Sequence, residues 1–392
     1  MTGALTARDG QELSPERGTG REIAIVGAGA VGATAAYELA RRGAGVTLYD
    51  RGPVANGASG RAAGVCYDAV ATEPAATVAR TAVDRFRTLS GPDTFSFQGC
   101  PYVWFARDGD EENAAAIRSG LDRMVEHGVA ADRIDASTLS EQFPALRTDD
   151  VAVAGVTGGA GYADPGAYTA CLAENAAVEG ATVETHTPVG IGIDPPQIVP
   201  DGGSPREVDA VLVAAGANTK RLLDGVSVPI AMKPYRVQAL VAAAAVDRPM
   251  WYDATAGCYA RPHPDGLLAG DGTRTVEADP TTYDRDADPG FGASLSERLS
   301  GRLPDLRPEV RRAWAGLCTA TPDRQPLVGA LREGLYVATG FQGQGFMRAP
   351  ATGRLVAEQL LGGSGIDAFD PARFSGDEAF SIREGMSVAD EG

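Results

Sequence analysis

The sequence predicts an α/β fold joined to a second, α+β domain with a mixed sheet, and three observations predict it. First, the apolar run Ile23 to Val26 leads into a glycine-rich turn, Gly27-Ala-Gly29-Ala-Val-Gly32. An alanine-rich stretch to Arg42 and another apolar run, Val46 to Tyr49, complete a β-α-β pattern. Second, two distant runs, Val208 to Ala215 and Gly334 to Thr339, are predominantly apolar, as strands buried on both faces of a parallel sheet are. Third, the residues between these pieces change to shorter, alternating segments of the half-buried kind.

The elements follow in chain order. Residues 1–20 are polar and rich in glycine and charge, which predicts a flexible tail, so the fold starts at Arg21. Residues Ala76 to Glu141 read as largely helical. Asp164-Pro165 opens a helix that runs to about Glu179, Gly180 stops it, and Ala181 to His186 reads as a strand. Strand-like segments come next at Arg236 to Val241, Trp251-Tyr252 and Cys258 to Arg261, followed by a helix over Ala293 to Leu303. After the strand at Gly334 comes a helix from Ala349 to Leu361. The division expected from this order is a discontinuous, Rossmann-like nucleotide-binding domain over 21–75, 145–225 and 321–365. A mixed-sheet substrate domain covers 76–144 and 226–320, and a C-terminal tail covers 366–392.

Composition narrows the function. The 392 residues include 44% hydrophobic and 22% charged side chains, enough to build a sizeable core and too many residues for a lone binding module. With 35 basic against 52 acidic residues the net charge is −17, which opposes phosphate backbones and anionic membranes; nucleic acid is not an expected partner. Lys220 and Lys233 are the only lysines, and scattered carboxylates with few lysines read as a surface adapted to high salt, the alternative being the acidic output of a GC-rich genome. Five dispersed cysteines and three dispersed histidines give neither a disulfide framework nor a metal-ligand spacing, so no metal site is expected. No stretch has the roughly 18 apolar residues of a membrane span. With no signal-peptide pattern either, the chain reads as cytoplasmic.

The first glycine turn carries chemistry. Backbone N–H groups at a helix N-terminus hold a pyrophosphate, and a side chain at Gly27, Gly29 or Gly32 would obstruct the turn, the phosphate or helix packing respectively. Ala30 and Val31 complete the turn. Asp50, 21 residues after Gly29 at the end of the second strand, is placed to accept ribose hydroxyls, with Arg51 beside it. A glycine turn that binds nothing is the alternative reading. Two further close-approach turns, at Ala215-Gly216 and at Gly340, Gly343, Gln344 and Gly345, suit an extended cofactor held permanently, and so favour FAD over NAD.

In order along the chain, Ile25-Val-Gly-Ala-Gly-Ala-Val-Gly32, Gly57-Ala-Ser-Gly-Arg-Ala-Ala-Gly64, Ala214-Ala-Gly216, Lys233-Pro-Tyr-Arg236, Trp314-Ala-Gly-Leu317, Thr321-Pro-Asp323 and Gly340-Phe-Gln-Gly-Gln-Gly-Phe-Met347 are spread over Arg21 to Gly362. This set resembles the FAD-dependent D-amino-acid oxidase (DAO) family, in the branch of glycine oxidase, sarcosine oxidases and amino-acid dehydrogenases. The resemblance implies a FAD-binding domain of the glutathione-reductase type. It implies that Ala58, Ser59, Ala62, Ala63 and Gly64 line the pyrophosphate and flavin, that Val189 meets the adenine, and that Gly345, Phe346 and Met347 approach the ring. The Tyr259-Ala-Arg-Pro262 block resembles the strand where the family carries a substrate-contacting tyrosine. Two residues apart on a strand, Tyr259 and Arg261 share a face. Arg261 is therefore expected to pair with a substrate carboxylate and Tyr259 to hydrogen-bond it or close the pocket, a structural salt bridge being the other reading of Arg261.

The departures are specific. Cys318 and Gly343 stand where glycine-oxidase-like enzymes have carboxylate-binding arginines, which shifts the anchoring task to Arg261 or Arg348. Leu268 stands where monomeric sarcosine oxidases have an oxygen-activating lysine, a feature that favours a dehydrogenase. Cys318 is out of register with the cysteine that attaches flavin in those enzymes, and Cys66 is a lesser candidate, so FAD is expected to be non-covalent. The expected activity is oxidation of a small amino acid or N-alkyl amino acid by hydride transfer to flavin N5, with O2, a quinone or an electron carrier as acceptor and oligomerisation possible. A 2-hydroxy-acid or polyol-phosphate dehydrogenase and a flavoprotein subunit of a larger complex are the alternatives.

Overall fold

The computed structural model describes residues 20–243, 249–271, 274–383 and 385. Apart from Gly20, the flexible tail expected over 1–20 lies outside the described residues. The continuous apolar runs form a six-stranded sheet in the order Leu327–Arg332, Leu335–Thr339, Ala210–Val213, Glu22–Val26, Gly45–Tyr49, Thr182–Glu184. All neighbours in it are parallel except Leu327–Arg332 with Leu335–Thr339. Ile23, Ile25, Leu48 and Leu212 are almost fully buried, as the sequence pattern requires of strands covered on both faces.

The helix Ala30–Ala40 is buried along its whole length because its small residues let neighbouring elements approach closely. It packs on the helices Pro165–Val178 and Gly345–Leu360. Near its end a carboxylate sits in the core: Glu38, 1% exposed, contacts Arg42 and Arg85. Burial alone would push this carboxyl up, but the guanidinium groups of Arg85 and Arg42 outweigh it and hold Glu38 below its ordinary value.

The intervening residues build an eight-stranded mixed sheet in the order Glu309–Ala320, Lys233–Ala243, Gly266–Asp271, Cys258–His263, Met250–Asp253, Tyr102–Arg107, Val151–Thr157, Asp132–Ile134. Leu240, Ala242, Trp251 and Leu267 pack on one face of it with Leu295 and Leu299 of the helix Phe291–Arg302.

Three local expectations are corrected. Residues 76–141 hold the helices Ala75–Leu89, Glu111–Glu126 and Ala136–Gln142, but between the first two lies Tyr102–Arg107, an interior strand paired parallel to Met250–Asp253 and antiparallel to Val151–Thr157. Its aromatic and β-branched residues fit a strand buried on both sides, whose unbroken run hides the alternation that marks half-buried strands. The strands Gly266–Asp271 and Glu309–Ala320 were likewise not anticipated. The last helix starts at Gly345, four residues before the expected Ala349, and accommodates Pro350 inside its second turn. The C-terminal residues lack long elements but are anchored, with Phe369 and Ile382 buried and Lys233 Nζ donating to Phe380 O.

Glu38→Gln removes the charge that compensates two buried guanidinium groups and is expected to lower stability by about 3–5 kcal/mol. Because the folded carboxyl is held low, its contribution is complete above the ordinary glutamate range, about 4.3, and is lost as pH falls through its folded value. Chemical denaturation should show the gap between wild type and variant closing as pH is lowered from neutral to about 3.

Candidate functional site

The carboxyl ends of the parallel strands open on a cavity of about 650 Å³ that continues to the eight-stranded sheet. This volume suits a small-molecule or cofactor site. At one end is the first glycine turn. Gly27 has φ +115°, and a Cβ there would stand 2.5 Å from Ala214 O; a Cβ at Gly32 would stand 2.0 Å from Gly27 O. The absence of side chains lets strand, turn and helix touch, so the helix N-terminus faces the cavity at Gly29, Ala30 and Val31. Ala30 N donates to Ser59 Oγ at 2.9 Å, bringing the 57–64 loop against this terminus.

Asp50 Oδ2 accepts from Ala28 N and Oδ1 from Gly52 N, each at 2.8 Å. These bonds fix the carboxylate at the strand end and leave each oxygen a second lone pair. Asp50, Arg51 and Val189 line the same end of the cavity. The 57–64 loop is clamped from the eight-stranded sheet by Trp314 Nε1, which donates to Arg61 O at 3.0 Å. Ala58, Ser59, Ala62, Ala63 and Gly64 all line the cavity. Gly64 adopts φ +74°, and any Cβ there would meet Ala163 O.

Ala215, Gly216, Gly343, Gln344, Gly345, Phe346 and Met347 complete the lining predicted for a cofactor. Gly32 and Gly340 are absent from it and serve packing, Gly340 by leaving room for Thr321 Cγ2. The early start of the helix Gly345–Leu360 places its first residues, rather than those around Ala349, on the cavity. A helix N-terminus there favours negative charge on a bound ring. A diphosphate end with amides and a carboxylate, small residues along a continuous channel and a second helix terminus at its far end all fit FAD.

The far wall comes from the eight-stranded sheet. Tyr235 and Cys318 are register partners and both line the cavity, as does Tyr259, whose ring occupies the space above Gly270. Burial raises the Tyr259 hydroxyl above its ordinary value and pushes the Cys318 thiol up to about 12. Tyr259 is half-buried, and it borders the cavity.

Arg261 and Arg348 are placed differently from the expectation. Arg261 is 4% exposed and does not line the cavity. Its Nε donates to Ala63 O, its Nη1 to Pro262 O at 2.6 Å, and its guanidinium lies 4.9 Å from the Tyr162 ring centre. Burial lowers its affinity for the proton. Arg348 is 5% exposed in the last helix and is also absent from the lining. Neither therefore presents its guanidinium to a substrate in the cavity.

The lining instead includes Tyr67, Tyr283 and Arg285, which sequence reasoning passed over. Arg285 makes no ion pair among the described residues, and its guanidinium lies 5.9 Å from the Tyr283 ring centre. Both side chains belong to a strap, residues 274–290, that Arg236 ties down through Asp284 O at 3.0 Å and Asp288 Oδ1 at 2.9 Å. No periodic pattern marks such a strap; the only signal was Arg236 inside the Lys233-Pro-Tyr-Arg236 block.

The family model for DAO, FAD dependent oxidoreductase, matches residues 22–359. The chain is 29% identical to glycine oxidase from Geobacillus kaustophilus, covering 90% of itself and 96% of that protein. It is 30% identical to the tRNA 5-methylaminomethyl-2-thiouridine biosynthesis bifunctional protein MnmC from Maricaulis maris, covering 94% of itself but only 57% of that longer protein. Among solved structures, L-proline dehydrogenase from P. horikoshii superimposes with a TM-score of 0.82 at 28% identity, over 91% of this chain and 98% of that one.

A Cβ at Gly29 would meet only the movable Ser59 Oγ, at 3.1 Å, whereas one at Gly32 would meet backbone. Gly29→Ala should therefore fold, by circular dichroism, yet bind FAD at least tenfold more weakly in fluorescence titration, because the methyl group occupies the phosphate approach. Gly32→Ala should lose both fold and flavin.

Proposed function

The chain belongs to the DAO family of FAD-dependent oxidoreductases, and from that premise we propose that it oxidises the C–N bond of a small amino acid or N-alkyl amino acid. The observation that carries this reading is the unbroken cavity, which joins the phosphate turn at Gly27 to a wall bearing Tyr235, Tyr259 and Arg285. FAD, when bound, supplies the two-electron acceptor for a hydride from the substrate carbon. The protein's work is to hold that carbon and its substituents in place. Arg285 takes the carboxylate, since it is the cation that the eight-stranded-sheet side contributes to the lining and it has no competing acid. Tyr259, kept protonated by burial, donates a hydrogen bond to the substrate across the neutral pH range. Loss of hydride and of the amine proton leaves an imine, which water hydrolyses.

The names of the Geobacillus and P. horikoshii proteins support an amino-acid substrate, glycine and L-proline being alike in carrying a carboxylate beside the C–N bond. A tRNA substrate, as named for the Maricaulis protein, is disfavoured by the net charge of −17. Hydroxy-acid oxidation remains the competing chemistry, distinguished by which substrates reduce the flavin. Burial raises the thiols of Cys66, near the flavin loop, and Cys318, on the far wall, which supports FAD held without a covalent link.

Arg285→Ala should retain stoichiometric FAD while kcat/KM on the amino-acid substrate falls by about 10- to 100-fold, the value of one charge-assisted hydrogen bond. The matching amine without a carboxylate should react equally well with wild type and variant. Acid precipitation should leave a colourless pellet and a yellow supernatant.

A further inference from the structure

A guanidinium cannot shed its proton in a protein, so burying one without a carboxylate partner demands a compensating arrangement. Arg261 is such a case: it is 4% exposed and forms no ion pair among the described residues. Its compensation comes from the Tyr162 face and from two carbonyls, one of them Ala63 O of the 57–64 loop.

The Ala63 contact has a geometric consequence. The Ala63–Gly64 peptide is trans, so its C=O and N–H point in opposite directions. With the C=O turned to Arg261, which is outside the cavity, the Gly64 N–H is turned the other way, and Gly64 lines the cavity. Among the described residues that N–H donates to nothing. The next peptide is held too, because Ala163 N donates to Gly64 O at 3.1 Å. A cation bonded to the carbonyl also polarises the peptide and strengthens the N–H as a donor.

We propose that Arg261 is a positioning residue that fixes and polarises the Ala63–Gly64 peptide, so that the Gly64 N–H stands in the cavity as a donor to the ring of bound FAD and favours its reduced state. A donor aimed at a site where negative charge accumulates acts as an oxyanion hole does, and here the charge is that which two-electron reduction places on the ring. The proposal rests on FAD occupying the cavity and not on the choice of substrate. Chemical reduction keeps the two questions apart.

The test is the flavin midpoint potential of wild type, Arg261→Lys and Arg261→Gln, measured anaerobically with xanthine, xanthine oxidase and a reference dye. Arg261→Gln should lose at least tenfold in its preference for reduced over oxidised FAD, a fall of about 30 mV for a two-electron couple. Arg261→Lys, which keeps the charge, should stay nearer wild type. A Gln variant with wild-type potential, or a Lys variant that falls as far as Gln, would overturn the proposal. If a variant takes up no FAD, the unfolding temperature of the FAD-free proteins decides. An unchanged temperature supports a role at the flavin loop, and a lowered one assigns Arg261 to general stability and refutes the proposal.

Discussion

The close contact of three backbone segments at the first glycine turn governs the architecture. Gly27 abuts the carbonyl of Ala214, and Gly32 abuts the carbonyl of Gly27, so the strands Glu22–Val26 and Ala210–Val213 and the helix Ala30–Ala40 meet without side chains between them. That contact aims the helix N-terminus into the cavity and brings the end of the Ala210–Val213 strand to the same edge. The features that suit a diphosphate follow from it: helix-terminal amides facing the cavity, a positive dipole end and room for phosphate oxygens. Asp50 then adds a fixed carboxylate at the neighbouring strand end.

The second sheet depends on the first through the 57–64 loop. Trp314 grips it at Arg61 O, Ser59 touches the helix terminus, and Arg261 holds Ala63 O. Contacts from both sides leave the loop little freedom, as expected of a segment that must line a cofactor without a rigid element of its own. The same division runs along the cavity. Small residues of the parallel-sheet side shape the channel, while Tyr235, Tyr259 and the strap carrying Tyr283 and Arg285 wall its far end.

The parallel strands and the phosphate turn were legible in the sequence because both depend on local signals: unbroken apolar runs, glycines at fixed spacing and an acid at the next strand end. Most residues expected to line a cofactor border the cavity, because they sit at strand ends, glycine turns and helix starts that such local signals mark; Gly32 and Gly340 do not border it and serve packing. The strand Tyr102–Arg107 was not, because a strand covered on both faces lacks alternation and its partners lie far away in sequence. Arg261 shows the limit of strand periodicity. Its shared face with Tyr259 could be derived, but a long side chain on that face can end at a backbone carbonyl beyond the cavity wall, and only the fold says which. Arg285 was invisible for the opposite reason, sitting in an irregular strap whose position is set by Arg236 over long range.

The central claim is an amino-acid oxidoreductase whose bound FAD accepts electrons from a C–N bond. It is tested most directly by adding amino acids, N-methyl amino acids and 2-hydroxy acids, one at a time and without oxygen, to the purified yellow protein while its visible flavin band is recorded. Bleaching by an amine-bearing carboxylate and by no hydroxy acid is the predicted result. Bleaching by a hydroxy acid alone, or a purified protein that takes up no FAD, would contradict it.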